Sequence, residues 1–196
     1  MTDITIRSIA GFCNEYTLWK MLLNICSEIL ISTGKVKMLT PDMIIIDGDN
    51  FRISDAEVHT LIPEFFPPEG MDQPTETGLV WVLGALVCYA SSGHYVFGGR
   101  GGMYQRSNPN VELPTLKKEH SALSALVKSC LCFSPSQRIN LEELKTHVQN
   151  GPCTDLTKPA LFFFESLLHR AKLLKNSPCI YLFLLAFFPM LILYCR

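Results

Sequence analysis

The sequence predicts a mainly α-helical protein with one small β-hairpin and a C-terminal transmembrane helix. Three observations predict it. Apolar residues recur at helical spacing over several stretches, a single β-branched run (Ile44–Ile46) is followed at once by turn residues, and an uncharged apolar run lies near the C-terminus. Hydrophobic residues make up 48% of the 196 and charged residues 18%, which excludes a disordered, solvating chain. Seventeen Lys and Arg against eighteen Asp and Glu give a net charge of −1, so nucleic acid is not an expected partner. Mean hydropathy of +0.21 is high for a soluble domain, and the excess sits at the C-terminus.

Residues 1–17 form an N-terminal segment and residues 18–150 the main domain. Leu18, Met21, Leu22, Ile25, Ile29 and Leu30 share one helical face, and Gly34 is placed to end that helix. Met43–Asp47, the turn residues Gly48-Asp49-Asn50 and the alternating Phe51-Arg52-Ile53 predict a hairpin. Residues 63–74 are rich in proline and acids and read as loop. From Thr77 to Ser91 a helix is apolar on most sides, which places it centrally. Residues 92–114 are rich in glycine and read as a long loop. A further helix covers about His120 to Leu131. The last of the domain starts after Asn140, where Glu143 completes a capping box, and ends near Gly151-Pro152.

Residues 151–177 read as a juxtamembrane segment with an amphipathic helix over 157–175. Residues 178–195 carry no charge, and eighteen residues rise about 27 Å as a helix, close to a bilayer's hydrocarbon thickness. Tyr181 and Tyr194 sit near the two ends of the span, and Pro189 is tolerated within it. His169, Arg170, Lys172 and Lys175 precede it and only Arg196 follows. The positive-inside rule therefore predicts a single-pass protein, its N-terminal domain cytoplasmic and the lipid bilayer its first partner.

Eight cysteines follow no metal-ligand spacing and sit mostly among apolar neighbours, so they read as structural thiols. Gly98-Gly99-Arg100-Gly101-Gly102 lacks the preceding strand and the G-K-[S/T] of a phosphate-binding loop, so it reads as a surface loop that His94, Tyr95 and Tyr104 could cap. Asp47 and Asp49 read as turn residues, with Asp55 a third carboxylate nearby.

The order of segments resembles the C-lobe of the protein kinase fold over about residues 18–150. Leu39-Thr40-Pro41-Asp42-Met43-Ile44-Ile45-Ile46-Asp47 resembles the catalytic-loop exit L-K-P-x-N-I-L-I-D. Phe51–Glu57 resembles the strand and D-F-G motif, Phe66-Pro67-Pro68-Glu69 the A-P-E motif, and Val80-Trp81-Val82-Leu83-Gly84 the D-V-W-S-L-G segment of the central helix. Cys130–Arg138 resembles C-L-x-x-D-P-x-x-R, and Glu142-Glu143-Leu144 with His147 the final helix. The resemblance implies one buried ion pair, between Glu69 and Arg138.

Departures from the family pattern bear on function. Residues 1–17 are too few for the strand-rich lobe that carries the Gly-rich loop and the ATP lysine. Gly34–Met38 stands where the catalytic Asp belongs and has no carboxylate. Met43 replaces the metal-binding Asn and cannot ligate Mg²⁺. Leu79 replaces the Asp that opens the central helix in kinases. Asp55 is the one vestigial metal candidate. The resemblance thus implies a membrane-anchored pseudokinase module, with no ATP, no cofactor and no catalytic residue, acting as a scaffold for an unidentified protein partner. The alternative is a Ser/Thr-type kinase subunit whose ATP-binding lobe another chain supplies.

Overall fold

A computed structural model describes residues 4–32, 34–54, 62–70, 72, 74–117 and 120–151. The chain divides into two units, Met1–Pro159 and Ala160–Arg196, and every described residue belongs to the first. It is mainly helical with one two-stranded antiparallel hairpin: α1 (Ile6–Ile9), α2 (Glu15–Ile31), β1 (Ile44–Asp47), β2 (Asn50–Ile53), α3 (Glu76–Ser92), α4 (Gly101–Ser107), α5 (Ser121–Cys130) and α6 (Leu141–Gln149). Among the described residues no helix is long and apolar enough to cross a membrane. The expected span over 178–195, the juxtamembrane helix and Asp55 lie outside the described residues.

Helix α2 starts three residues before the apolar periodicity does, because the Asn14 side chain caps it by accepting from the Thr17 N–H at 2.9 Å. Its C-cap is Ser32 rather than Gly34. Leu18, Met21, Leu22 and Ile25 are buried and pack on α6 and β2. The N-terminal segment is part of this core. Ile6 and Ile9 of α1 are buried, and the Ile46 N–H donates to the Ile4 carbonyl.

In the hairpin Ile44 pairs with Ile53 and Asp47 with Asn50. Gly48, at φ +59°, takes the turn position where a side chain is disfavoured. A two-stranded hairpin is marginal alone because its edges are unpaired. Here α2 covers one edge with side chains: Asn24 Oδ1 accepts from the Phe51 N–H at 3.0 Å, and Glu28 Oε2 from the Ile53 N–H at 2.8 Å.

Helix α3 is the central element. Thr75 caps its start, Gly93 in the left-handed conformation ends it, and every residue from Gly78 to Ser91 is buried. Its all-round apolarity (Trp81 0% and Leu83 1% exposed) follows from contact with α1, α2, α5 and α6. At Gly84 a Cβ would stand 2.8 Å from Cys130 Cβ, so glycine lets α5 approach closely. The capping box at α6 forms, with Asn140 Oδ1 accepting from the Glu143 N–H and Glu143 Oε2 from the Asn140 N–H.

Two stretches differ from the loops expected. Residues 63–74 contain a 3-10 turn, Pro63–Phe65. Residues 92–114 contain a 3-10 turn at Val96–Gly99 and then α4. The glycines there serve packing as well as turning. A Cβ on Gly102 would fall inside the Pro67–Pro68 backbone and stand 2.6 Å from the Phe66 carbonyl oxygen. Gln105 of α4 is buried and links two elements: its Oε1 accepts from Trp81 Nε1 at 2.9 Å, and its Nε2 donates to the Leu131 carbonyl at 2.7 Å. Phe97 is the one described non-glycine residue with positive φ, +52°, a conformation that costs a bulky residue about 1–3 kcal/mol.

Candidate functional site

Glu69 and Arg138 meet beneath the start of α3. The Pro67–Gly70 turn presents the carboxylate, and a 3-10 turn at Pro135–Gln137 delivers the arginine just ahead of α6. The contact is a bidentate fork: Nη1 to Glu69 Oε1 at 2.6 Å and Nη2 to Oε2 at 3.1 Å. Arg138 also donates to three backbone carbonyls, Thr77 at 2.7 Å, Cys132 at 3.1 Å and Phe133 at 3.3 Å. Its side chain is fully shielded, and that of Glu69 is 23% exposed. All five guanidinium hydrogens thus find acceptors in a site where an unpaired charge would be costly.

A second feature is a groove of about 300 Å³ between the end of α2, the segment Gly34–Lys37, the start of α3 and the start of α6. Ile29, Leu30, Val36, Leu79 and Leu141 make it apolar, and Lys37 and Glu76 are its charged residues. Both are exposed, and neither side chain makes an ion pair or hydrogen bond among the described residues. Gly34, Val36 and Lys37 therefore come together in space with Leu79 around a largely apolar groove.

The remaining candidates are dispersed. Asp47 is exposed at the hairpin end, and Met43 is half-buried between β1 and the Thr40 turn. Asp42 pairs with Arg7 at 2.6 Å, an exposed contact that also brings Arg7 Nη1 to 3.2 Å from the Tyr95 hydroxyl and that contributes little stability. The Asp42 carboxylate holds the Arg7 guanidinium above its ordinary pKa. Tyr95 stacks on Tyr89 at 4.9 Å with Phe65 edge-on to both, whereas His94 is exposed. Among the described residues no three His, Cys, Asp or Glu side chains gather as a metal site. Burial pushes the thiols of Cys13, Cys26 and Cys88 up to about 12, and that of Cys130 up as well. These are core thiols; Cys132, just beyond α5, is half-buried.

Sequence reasoning missed the polar anchors. Gln105, Asn24 and Glu28 each bind a group 24 to 27 positions away. The buried Ser91 Oγ and His120 Nδ1 meet at 2.7 Å, joining the end of α3 to the start of α5. Only Trp81 carried a signal: its indole N–H needs an acceptor when buried.

Compared with protein-family models and with curated protein sequences, the chain matches none.

Proposed function

We propose that this chain is a membrane-anchored, catalytically inactive protein-kinase-like module that acts by binding a protein partner. The observation that supports the reading is the Glu69–Arg138 fork. The family resemblance singles out these two residues, 69 positions apart, from motifs on different segments, and the role it gives them is structural and needs no nucleotide. The groove favours the inactive reading over a partner-completed kinase. At the positions that resemble the catalytic loop and the opening of the central helix it is lined by Val36 and Leu79, with Glu76 its one carboxylate. Phosphoryl transfer works by positioning and charge stabilisation, for which such a surface offers little.

The test is thermal denaturation of the full chain in detergent micelles with and without MgATP. No shift is expected. A nucleotide held at one hundred times its Kd would stabilise the fold by about 2.7 kcal/mol, a rise of about 5–11 °C for a chain of this size. Such a rise, alone or with a co-purified chain, overturns the inactive reading. The proposed anchor predicts that the chain stays with membranes through carbonate extraction and that deleting residues 176–196 releases it.

A further inference from the structure

The segment from Phe97 to Tyr104 builds a surface that the kinase-like reading does not use. Phe97 is held in the left-handed conformation, and Gly98, Gly99 and Gly101 follow at φ +64°, +81° and +52°. Nothing lies within 4 Å of where a Gly98 side chain would start, so conformation and not crowding calls for glycine there. The run turns the Phe97 carbonyl onto Arg100, where it accepts from the backbone N–H at 3.4 Å and from Nε at 3.3 Å. The guanidinium carbon then sits 3.6 Å from the centroid of the Tyr104 ring, and the Phe97 ring lies 6.1 Å from that ring.

Arg100 is thus fixed at Nε and along one face, while its two Nη groups make no hydrogen bond among the described residues and the residue is exposed. Met103, 48% exposed, adds apolar surface on the same short helix. The base of the platform is rigid, because Gly101 and Gly102 are pressed against the Pro63–Glu64 and Phe66–Pro68 backbones. Between Glu76 and Glu112 the sequence has no acidic residue, and its charges are Arg100 and Arg106. Glu64 comes close to this segment, its Cγ 4.0 Å from the Gly99 Cβ position, and forms no ion pair with Arg100.

We propose that Phe97–Tyr104 is a docking site for a protein partner that presents an Asp or Glu carboxylate beside an apolar side chain. A planar fork with two free Nη groups matches one carboxylate bidentately, and stacking on an aromatic ring fixes its direction beforehand. Phosphate recognition by such surfaces draws on clusters of arginines, whereas the Phe97–Tyr104 segment holds one, Arg100, and the exposed Arg106 lies beyond it. Met103 supplies the adaptable apolar contact beside the charge. The proposal goes beyond the kinase-like reading and stands without it, since none of these residues carries the resemblance.

The experiment is binding of the full chain, in detergent micelles, to an array of peptides. Each peptide carries Asp or Glu next to Leu, Met or Phe, beside a twin with Asn or Gln and a twin with phosphoserine at that position. A subset of acidic peptides is expected to bind, with the amide twins about tenfold weaker, the size of one lost charge-assisted contact. Arg100→Lys should weaken the same peptides about tenfold while the melting temperature stays put, because a lysine keeps the charge and loses the fork. Glu64→Gln should tighten binding by removing a competing carboxylate. Phe97→Gly should melt at or above the parent temperature and bind less well, since it relieves the strained backbone and loosens the platform. The proposal is overturned if no acidic peptide binds, if amide twins bind equally, if phosphoserine twins bind in preference, or if Arg100→Lys changes nothing. A lower melting temperature for Phe97→Gly also counts against it, for the strained residue would then serve packing alone.

Discussion

Replacing Arg138 by methionine removes the most heavily bonded side chain described in this protein. The guanidinium makes five hydrogen bonds, two to Glu69 and three to the carbonyls of Thr77, Cys132 and Phe133. The substitution leaves a partly buried carboxylate and three carbonyls without their donor. Breaking a buried pair from one side costs about 3–5 kcal/mol, which for a chain of this size lowers Tm by about 6–20 °C. Glu69→Leu fails differently. It strands a fully shielded cation that still has three carbonyl acceptors, so a loss in the same range is expected. The double variant removes both charges and should lose clearly less than the sum of the two, by more than about 1 kcal/mol, as contacting residues do. Tryptophan fluorescence melts of the full chain in micelles measure all four proteins, because Trp81 lies buried on α3. Should Arg138→Met melt within about 2 °C of the parent, or the two losses simply add, the fork is not the fastening described here.

Gly102→Ala should destabilise although it places a better helix former in α4. The propensity gain is about 1 kcal/mol, but the new Cβ meets the Phe66–Pro68 backbone, and overpacking of about 1–3 kcal/mol should win in a denaturant titration. Alkylation at pH 8 followed by peptide mass spectrometry should modify Cys132 and spare Cys26, Cys88 and Cys130 until the protein unfolds; their thiols are pushed up by burial and stay protonated. Early modification of Cys88 would mean that α3 is not sealed. Lys37→Ala should change stability by less than about 0.5 kcal/mol, since the side chain is exposed and has no partner among the described residues. Glu76→Ala should lose about 0.3–1 kcal/mol because Glu76 sits in the first turn of α3. Paired chemical-denaturation curves would expose a hidden role for either residue as a larger loss.

Much of the helical framework was legible in the sequence, for physical reasons that vary by element. The α6 start could be read because Asn140 and Glu143 stand at the reciprocal capping distance, and the hairpin because three isoleucines precede a glycine turn. Helix α4 was hidden by its own glycines. Gly101 and Gly102 look like flexibility in one dimension and are close-approach residues in three. Helix α1 is four residues long, too short to show a period. Of the site, Glu69 and Arg138 could be named only through the order of motifs, because no local pattern links residues 69 positions apart. Gln105 gave no signal, since a buried glutamine is recognised by what it bonds, and its partners Trp81 and Leu131 come from distant segments.

The polar contacts that fasten this domain share a property that bears on what its surface can become. Arg138 ties the turn before α6 to the turn before α3, Gln105 ties α4 to Trp81 and to the end of α5, and Asn24 with Glu28 ties the hairpin to α2. Each satisfies backbone or indole groups that would otherwise be buried without a partner, a loss of about 1–3 kcal/mol apiece. None of them uses the groove residues Val36, Lys37 and Glu76 or the Arg100 fork. The fold is therefore secured without the exposed groove residues Lys37 and Glu76 or the Arg100 side chain, which are free to change with little loss of stability. Under the proposed kinase-like reading this separation has a direct consequence. Catalytic carboxylates need the loop around them held in place, but an apolar groove closed by Leu79 needs only volume. A single carboxylate in place of the buried Leu79 would put an unpaired charge in the core and weaken the domain without building a reaction centre.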